Sequence, residues 1–473
     1  MAYARLAMSY EIKGERNQLM MFPPLIEDFI PEDDSVRFID AFVDSINLEE
    51  VGLKQRKSDE GRPNYASSLL LKVWLYGNYE RITSCRQLEK MCRRDVGMMW
   101  LSGMQYPDHN TLWRFFKDHK HIIKNLFKKS GQIALKNNMI GFVAFAIDGT
   151  KIPANINHDK VLHKSDLEKL EKSLDRRANE LEQEIEKRNQ NLEPTDKLPE
   201  ELRNKKELQE KIKKDLKELE TSNKQHLSKS DSDATYMKTR HGIKMSYNAQ
   251  ASVDSKHGII VGAEVRQEPS DNELLTQMID ITVLNIGKAA EENLADGGYF
   301  SGRELSAAEE KGYSVLVNIP AQTEKQKNIK PAPYNQHNFA YDDVSDEYIC
   351  PQGGRLKFNR KRTRKKKEVK EYICKSYKTC PHANDCSNDK KGRKIEISEY
   401  KDTVKRHAER LDNEENKKLL SRRKVIVEPV FGFIKENLKF RRFTVRGKEN
   451  VSAQWFLACL IYNLRKMYRL KPA

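Results

Sequence analysis

GFVAFAIDGTKIPA, residues 141–154, opens with an apolar run from Phe142 to Ile147 that stops at Asp148 and Gly149. Six apolar residues closed by a polar pair are too few for a helix, and they predict a buried strand ending in a carboxylate. Downstream, GIKMSYNAQASVDSKHGIIVGAEV (242–265) alternates, turns between Asp254 and Gly258, and resumes from Ile259 to Val265, as a β-hairpin does. LLTQMIDITVL (274–284) reads as a helix, EENLADGGYF (291–300) as a second strand ending at Asp296, and SGRELSAAEEKG (301–312) as a helix. The order β, ββ, α, β, α predicts an α/β fold, a mixed sheet flanked by helices.

Upstream, residues 20–135 carry helical spacing. In PEDDSVRFIDAFVDSI, Val36, Ile39, Phe42, Val43 and Ile46 recur at intervals of three and four behind an acidic start. Residues 67–101 repeat the pattern, with Ser84 as a cap before Arg86 to Arg94. After Pro107, Asn110 or Thr111 would cap a helix bearing Arg114, Lys117 and Lys120. Two intervals break the α/β order. Residues 164–228 are charged, with leucine and isoleucine at helical spacing around a Pro194–Pro199 break, and predict a helical hairpin of coiled-coil type. Residues 320–400 hold a cysteine cluster and the run KFNRKRTRKKKEVK, too charged for core, and predict a loop or inserted subdomain. Helices return after 401, the last apolar enough to close the core.

The 473 residues carry a formal charge of +16, with 38% hydrophobic and 33% charged residues, which points to a polyanionic partner and to a core accompanied by solvated excursions. No apolar run reaches the roughly 18 residues of a membrane span, and no signal-peptide layout opens the chain, so a cytoplasmic protein is expected.

Asp148 and Asp296 each end an apolar strand and precede glycine, and the ends of adjacent strands are where carboxylates meet. Glu428, in RRKVIVEPVFGFIKENLKFRR, lies before Pro429, which predicts a helix start or kink there. Its apolar neighbours argue against a purely solvated side chain, and Lys435 follows two turns later. Three hard carboxylates in one pocket repel unless cations join them, and two Mg²⁺ (or Mn²⁺) ions would satisfy them in a two-metal phosphoryl-transfer arrangement.

On these residues, AIDGT, LADGGYFS and VEPVFGFIK, the chain resembles the DDE transposases of bacterial insertion sequences, whose core is RNase H-like. IPEDDSVRFIDAFVD, GRPNYASSLLLKVWLYG and CRRDVGMMWLSGMQYPDHNTLWRF are similar to that family's helical N-terminal module. The resemblance implies a helical DNA-binding or dimerisation module over 1–135. It also implies an RNase H-like catalytic domain over 136–473, interrupted by a helical insertion at 160–230 and a basic, Cys-containing one at 320–400. It further implies catalysis by Asp148, Asp296 and Glu428, with Lys435 on DNA phosphates. The family signature's upstream Tyr and Arg correspond to Ser421 and Lys424, with Arg423 one place off, and the resemblance implies Lys424 and Arg423 as further DNA contacts. The implied substrates are double-stranded DNA, the element's terminal inverted repeats and a target, cut and joined by a homodimer. A nuclease of the same fold that does not join strands, or an inactive DNA-binding derivative, are the alternatives.

Cys350, Cys374, Cys380 and Cys386 lie within one short span, where tetrahedral Zn²⁺ or plain reduced thiols are the two readings, with His382 as a substitute ligand. The run from Lys357 to Lys370, including Arg364, Lys365 and Lys366, suits phosphate contact without sequence preference. Base reading would fall to the N-terminal helices bearing Arg86, Arg93, Arg94, Arg114 and Lys117, unless these pack against a second subunit.

Overall fold

A computed structural model describes residues 25–53, 64–157, 161–190, 198–221, 226–320, 333–334, 338–364, 367–387, 389 and 392–470. The chain divides into two compact units, Met1–Asp118 and His119–Ala473. The first unit is helical: α1 (Ser35–Asp44), α2 (Ser67–Tyr79), α3 (Cys85–Met91), α4 (Val96–Leu101) and α5 (His109–His119, crossing its boundary). Asp34 caps α1 by accepting from Val36 N, and the face it presents inward is Val36, Ile39, Phe42 and Val43. Ser84 precedes α3 but makes no side-chain capping bond. The cap of α5 is neither Asn110 nor Thr111: Asp108 Oδ1 accepts from Thr111 N at 2.8 Å. A carboxylate there also answers the positive end of the helix.

The second unit begins with α6 (Ile122–Lys136) and contains the sheet that positions the chemistry. Its strands are β1 (Ala144–Pro153), β4 (Thr235–Thr239), β5 (Gly242–Asp254), β6 (Ile260–Arg266), β7 (Glu292–Ala295) and β8 (Val315–Val317), with β2 (Val161–His163) and β3 (His226–Ser228) a separate pair. β5 pairs antiparallel with both β6 and β1, and β7 and β8 follow in parallel. Three antiparallel strands followed by two parallel ones is the RNase H-like arrangement that the resemblance implies. Crossovers α9 (Leu275–Ile286) and α10 (Gly302–Glu310) supply the parallel connections.

The last helix closes the core as expected. Lys448–Leu470 (α15 in the numbering below) buries Trp455, Leu460 and Leu464 completely, and Trp455 Nε1 donates to Gln250 O at 3.0 Å. Asn463 faces edge strand β6: Ile260 N donates to its Oδ1 and its Nδ2 donates to Ile260 O, each at 2.9 Å. One side-chain amide thus takes the place of a missing strand partner.

Both charged intervals contain regular structure among the described residues. α7 (Lys164–Gln190) and α8 (Leu198–Thr221) form a helical hairpin whose seam is Leu167, Leu174, Ile212, Leu216 and Leu219. The cysteine-bearing interval forms a five-stranded antiparallel sheet, β9 (Ala340–Asp342), β10 (Glu347–Ile349), β11 (Arg355–Arg364), β12 (Lys367–Cys374) and β13 (Lys394–Ser398), with short α11 (Ala383–Cys386). The basic run is therefore an extended β11–β12 hairpin rather than a loop. After it come α12 (Lys401–Asp412), α13 (Glu414–Ser421), α14 (Arg423–Gly432), a π-helical turn Phe433–Asn437, and α15 (Lys448–Leu470).

Candidate active site

β1 does not stop at Asp148. It runs on to Pro153, and Asp148 sits opposite Ala251 of β5. Gly149 is explained by packing instead of by a turn, because a Cβ there would lie 2.2 Å from Gln250 Nε2 and 2.8 Å from Asn248 Oδ1. Strand β7, by contrast, ends at Ala295, and Asp296 caps the turn that follows, its Oδ1 accepting from Gly298 N at 2.8 Å. β1 and β7 are parallel with Ala146 beside Leu294, so continuing that register two residues brings Asp148 level with Asp296 on the same face. The two aspartates feel each other. Burial raises the pKa of Asp148, the neighbouring Asp296 charge raises it further, and Arg423 opposes both.

Arg423 Nη1 donates to Asp148 Oδ2 at 3.0 Å, with only 8% of the arginine side chain and 20% of the aspartate exposed. Two residues along β1, on the same face, Thr150 Oγ1 accepts from Lys435 Nζ. Helix α14 and its π-turn are thus tied to β1 at both ends by basic side chains, and Arg423, expected on DNA, is instead buried against Asp148. Burial lowers the pKa of Lys435, and the charge of Arg240, at the β4–β5 turn, adds to it. Insertion of a π-turn at this lysine is a deviation that tends to occur where function demands it.

Glu428 departs from expectation. It lies inside α14, one residue before an interior Pro429, neither at a helix start nor among the buried side chains. The buried stripe is Arg423, Val427, Val430 and Phe431, whereas Lys424, Glu428 and Gly432, spaced by four, are exposed. Proline is tolerated there because the carbonyl deprived of its donor belongs to Val425, itself 77% exposed. Among the described residues no three His, Cys, Asp or Glu side chains stand close enough to hold one ion, so Glu428 does not complete a cluster with the two aspartates. Asp148 and Asp296 still offer what a hard divalent cation needs: oxygen donors, partial burial, and like charges in want of neutralisation.

The opposite face of the sheet holds groups that the sequence does not flag. Asp271, in the loop before α9, accepts from Lys151 Nζ at 3.0 Å, Asn248 Nδ2 at 2.6 Å and Gln250 Nε2 at 2.8 Å. Tyr299, fully buried, donates to Gln250 Oε1. Burial, with the charges of Asp271, Asp148 and Asp296, keeps its phenol protonated far above the ordinary range. Only the SDNE sequence ahead of an apolar helix hints at Asp271, and that reads equally as a helix start.

Elsewhere, Lys424 is exposed. Much of the basic hairpin is already neutralised: Arg360 and Arg362 both contact Glu371 at 3.1 Å, and Lys357 lies 3.4 Å from Glu347. Lys365, Lys366 and the side chain of Arg364 lie outside the described residues. The four clustered cysteines are free and line one cavity of about 190 Å³ with His382. Burial raises the pKa of the Cys386 thiol, Arg393 opposes this, and the other three sulfurs add to it.

Residues 349–468 match the family described as a transposase DDE domain, a segment that includes Glu428 and Lys435. Residues 24–118 match a transposase domain, DUF772, over the described part of the first unit. No curated protein matches the sequence.

Proposed function

We propose that the chain is a DDE transposase of an insertion sequence, as the two family matches over residues 24–118 and 349–468 support, and that it cuts the terminal inverted repeats of its own element and joins the freed 3′-hydroxyl to target DNA. The observation that carries this reading is that Asp148 and Asp296 come level on neighbouring parallel strands, with the Asp148 carboxyl raised in pKa by burial and by the Asp296 charge. These two would hold Mg²⁺ or Mn²⁺, while Glu428, exposed on α14, stands outside their cluster in this structure. Bound divalent ions would supply Lewis acidity to the scissile phosphate and the attacking water or 3′-hydroxyl.

The protein's own groups prepare that chemistry. Arg423 neutralises Asp148 until a cation competes for it, and fixes the helix that bears Glu428. Lys435 is held against Thr150 with the cation Arg240 near it, a pair suited to a phosphodiester. Lys424, on the same exposed stripe as Glu428, and basic side chains of the hairpin would add backbone contacts. No described helix is long and apolar enough to cross a membrane. The reading places the enzyme on cytoplasmic DNA, as a homodimer, since joining two ends takes two active sites.

The test is a strand-transfer assay with pre-cleaved ends bearing the element's terminal repeats, a target plasmid and Mn²⁺. Joined products are expected. Nicking without joining would reassign the chain as a nuclease, and binding without either would make it an inactive DNA-binding derivative.

A further inference from the structure

The β9–β13 sheet has a small core of its own: Phe339, Tyr348, Leu356, Tyr372 and Ile395 are its buried side chains, with Cys350 and Cys374 at the edge. A unit this small buries too little apolar surface to secure itself, and comparable scaffolds add a disulfide or a structural metal. No disulfide is formed here; all four cysteines are free.

Their placement is systematic. Cys350 opens a tight turn after β10, in which Gly353 N donates to Cys350 O at 2.8 Å and Gly354 N donates to Cys350 Sγ at 3.2 Å. Cys374 ends β12, Cys380 follows a 3₁₀ turn, and Cys386 ends α11. The turn after β10, the end of β12 and the segment that follows it thus bring four sulfurs to the lining of a single cavity of about 190 Å³. Arg393 lines the same cavity, and its Nε is buried without any hydrogen-bond acceptor. Its Nη2 donates to Tyr334 O at 2.9 Å and its Nη1 to Cys386 O at 3.5 Å, so Nε alone lacks an acceptor, and thiolates are among the acceptors this cavity is able to provide. The sulfurs share the cavity without yet meeting at ligand spacing. Cysteine has one side-chain torsion to place its sulfur, and that torsion is the freedom by which the four would have to turn inward to meet an ion.

We propose that Cys350, Cys374, Cys380 and Cys386 bind one structural Zn²⁺ as thiolates, that Arg393 compensates the resulting negative charge, and that the ion pins the far end of this sheet. Soft sulfur donors select zinc over the hard cations an aspartate pair would take. Binding releases the thiol protons to solvent and involves no redox change. The inference is independent of DNA cleavage.

The test uses the full chain, purified under reducing conditions without added metal. Elemental analysis is expected to find about one Zn²⁺ per chain. Replacement by Co²⁺ is expected to give the intense thiolate-to-cobalt absorption of a tetrahedral sulfur site. Cys374→Ser or Cys386→Ser should at least halve the zinc content, and Cys85→Ser should leave it unchanged. Should those variants fold poorly, thiol titration of the unaltered chain decides: a chelator should expose four further thiols. Zinc-free protein with no cobalt–sulfur absorption, zinc retained in full by Cys374→Ser, or thiol reactivity unmoved by the chelator would each overturn the proposal.

Discussion

Asp148 is where the electrostatics are sharpest. In the unfolded chain it titrates in the ordinary carboxylate range, whereas burial and Asp296 hold its proton to higher pH in the fold. Stability is therefore lost as pH rises from the ordinary value to the raised one, and stays lost above it. A divalent cation binds only the carboxylate and offsets that loss. The rise in melting temperature on adding Mn²⁺ should accordingly grow as pH climbs through the titration of Asp148, and vanish in Asp148→Asn; a cation effect indifferent to pH would refute this. Arg423→Ala leaves a largely buried carboxylate without its partner and should cost about 3 kcal/mol in chemical denaturation, more than Lys424→Ala, whose side chain is exposed. The two aspartates are legible in the sequence because an apolar run followed by Asp-Gly is a local pattern. The contact between Arg423 and Asp148 is not, because it joins residues 275 apart and depends on the rotational phase of α14. A one-residue difference in that phase separates buried Arg423 from exposed Lys424. Asp271 is illegible for a similar reason, since its donors come from two strands.

Elements that follow local periodicity are read correctly, and those set by partners are not. The seam of the α7–α8 hairpin is leucine and isoleucine at helical spacing, so the hairpin is visible in the sequence. Its base is formed by β2 and β3, which pair His163 with His226. Replacing residues 165–221 with a short turn should therefore leave the melting temperature of the remaining body within a few degrees of the full chain, measured by calorimetry, because the hairpin's core is its own. A collapse in stability or solubility would show that the arm also supports the body. Strand β11 escapes a reading by composition: its charges look like a loop until Glu371, eleven residues after Arg360, is placed beside them on β12. Pro429 misleads in the same way, as it usually marks a helix boundary but here sits on the solvent side of α14. Asn463→Ala removes both bonds to Ile260 from a fully buried position, and about 2 kcal/mol of stability should go with them.

For the molecule as a whole, the charge of +16 overstates what is free to meet DNA, because two arginines of the basic hairpin, Arg360 and Arg362, are held by its own Glu371. DNA affinity should fall steeply with salt. Lys435→Ala should flatten that dependence by about one phosphate contact, and Arg360→Ala, removed from an existing ion pair, should leave it nearly unchanged; titrations at several salt concentrations distinguish the two. The central claim concerns the two aspartates at neighbouring positions of strand β1 and the end of β7. Its most direct test is Mn²⁺-dependent cleavage of a DNA fragment carrying the element's own end, compared among the unaltered chain, Asp148→Asn and Asp296→Asn at matched DNA occupancy. The account predicts cleavage by the first and none by either variant, with binding retained by all three; cleavage at an undiminished rate by Asp148→Asn or Asp296→Asn would contradict it.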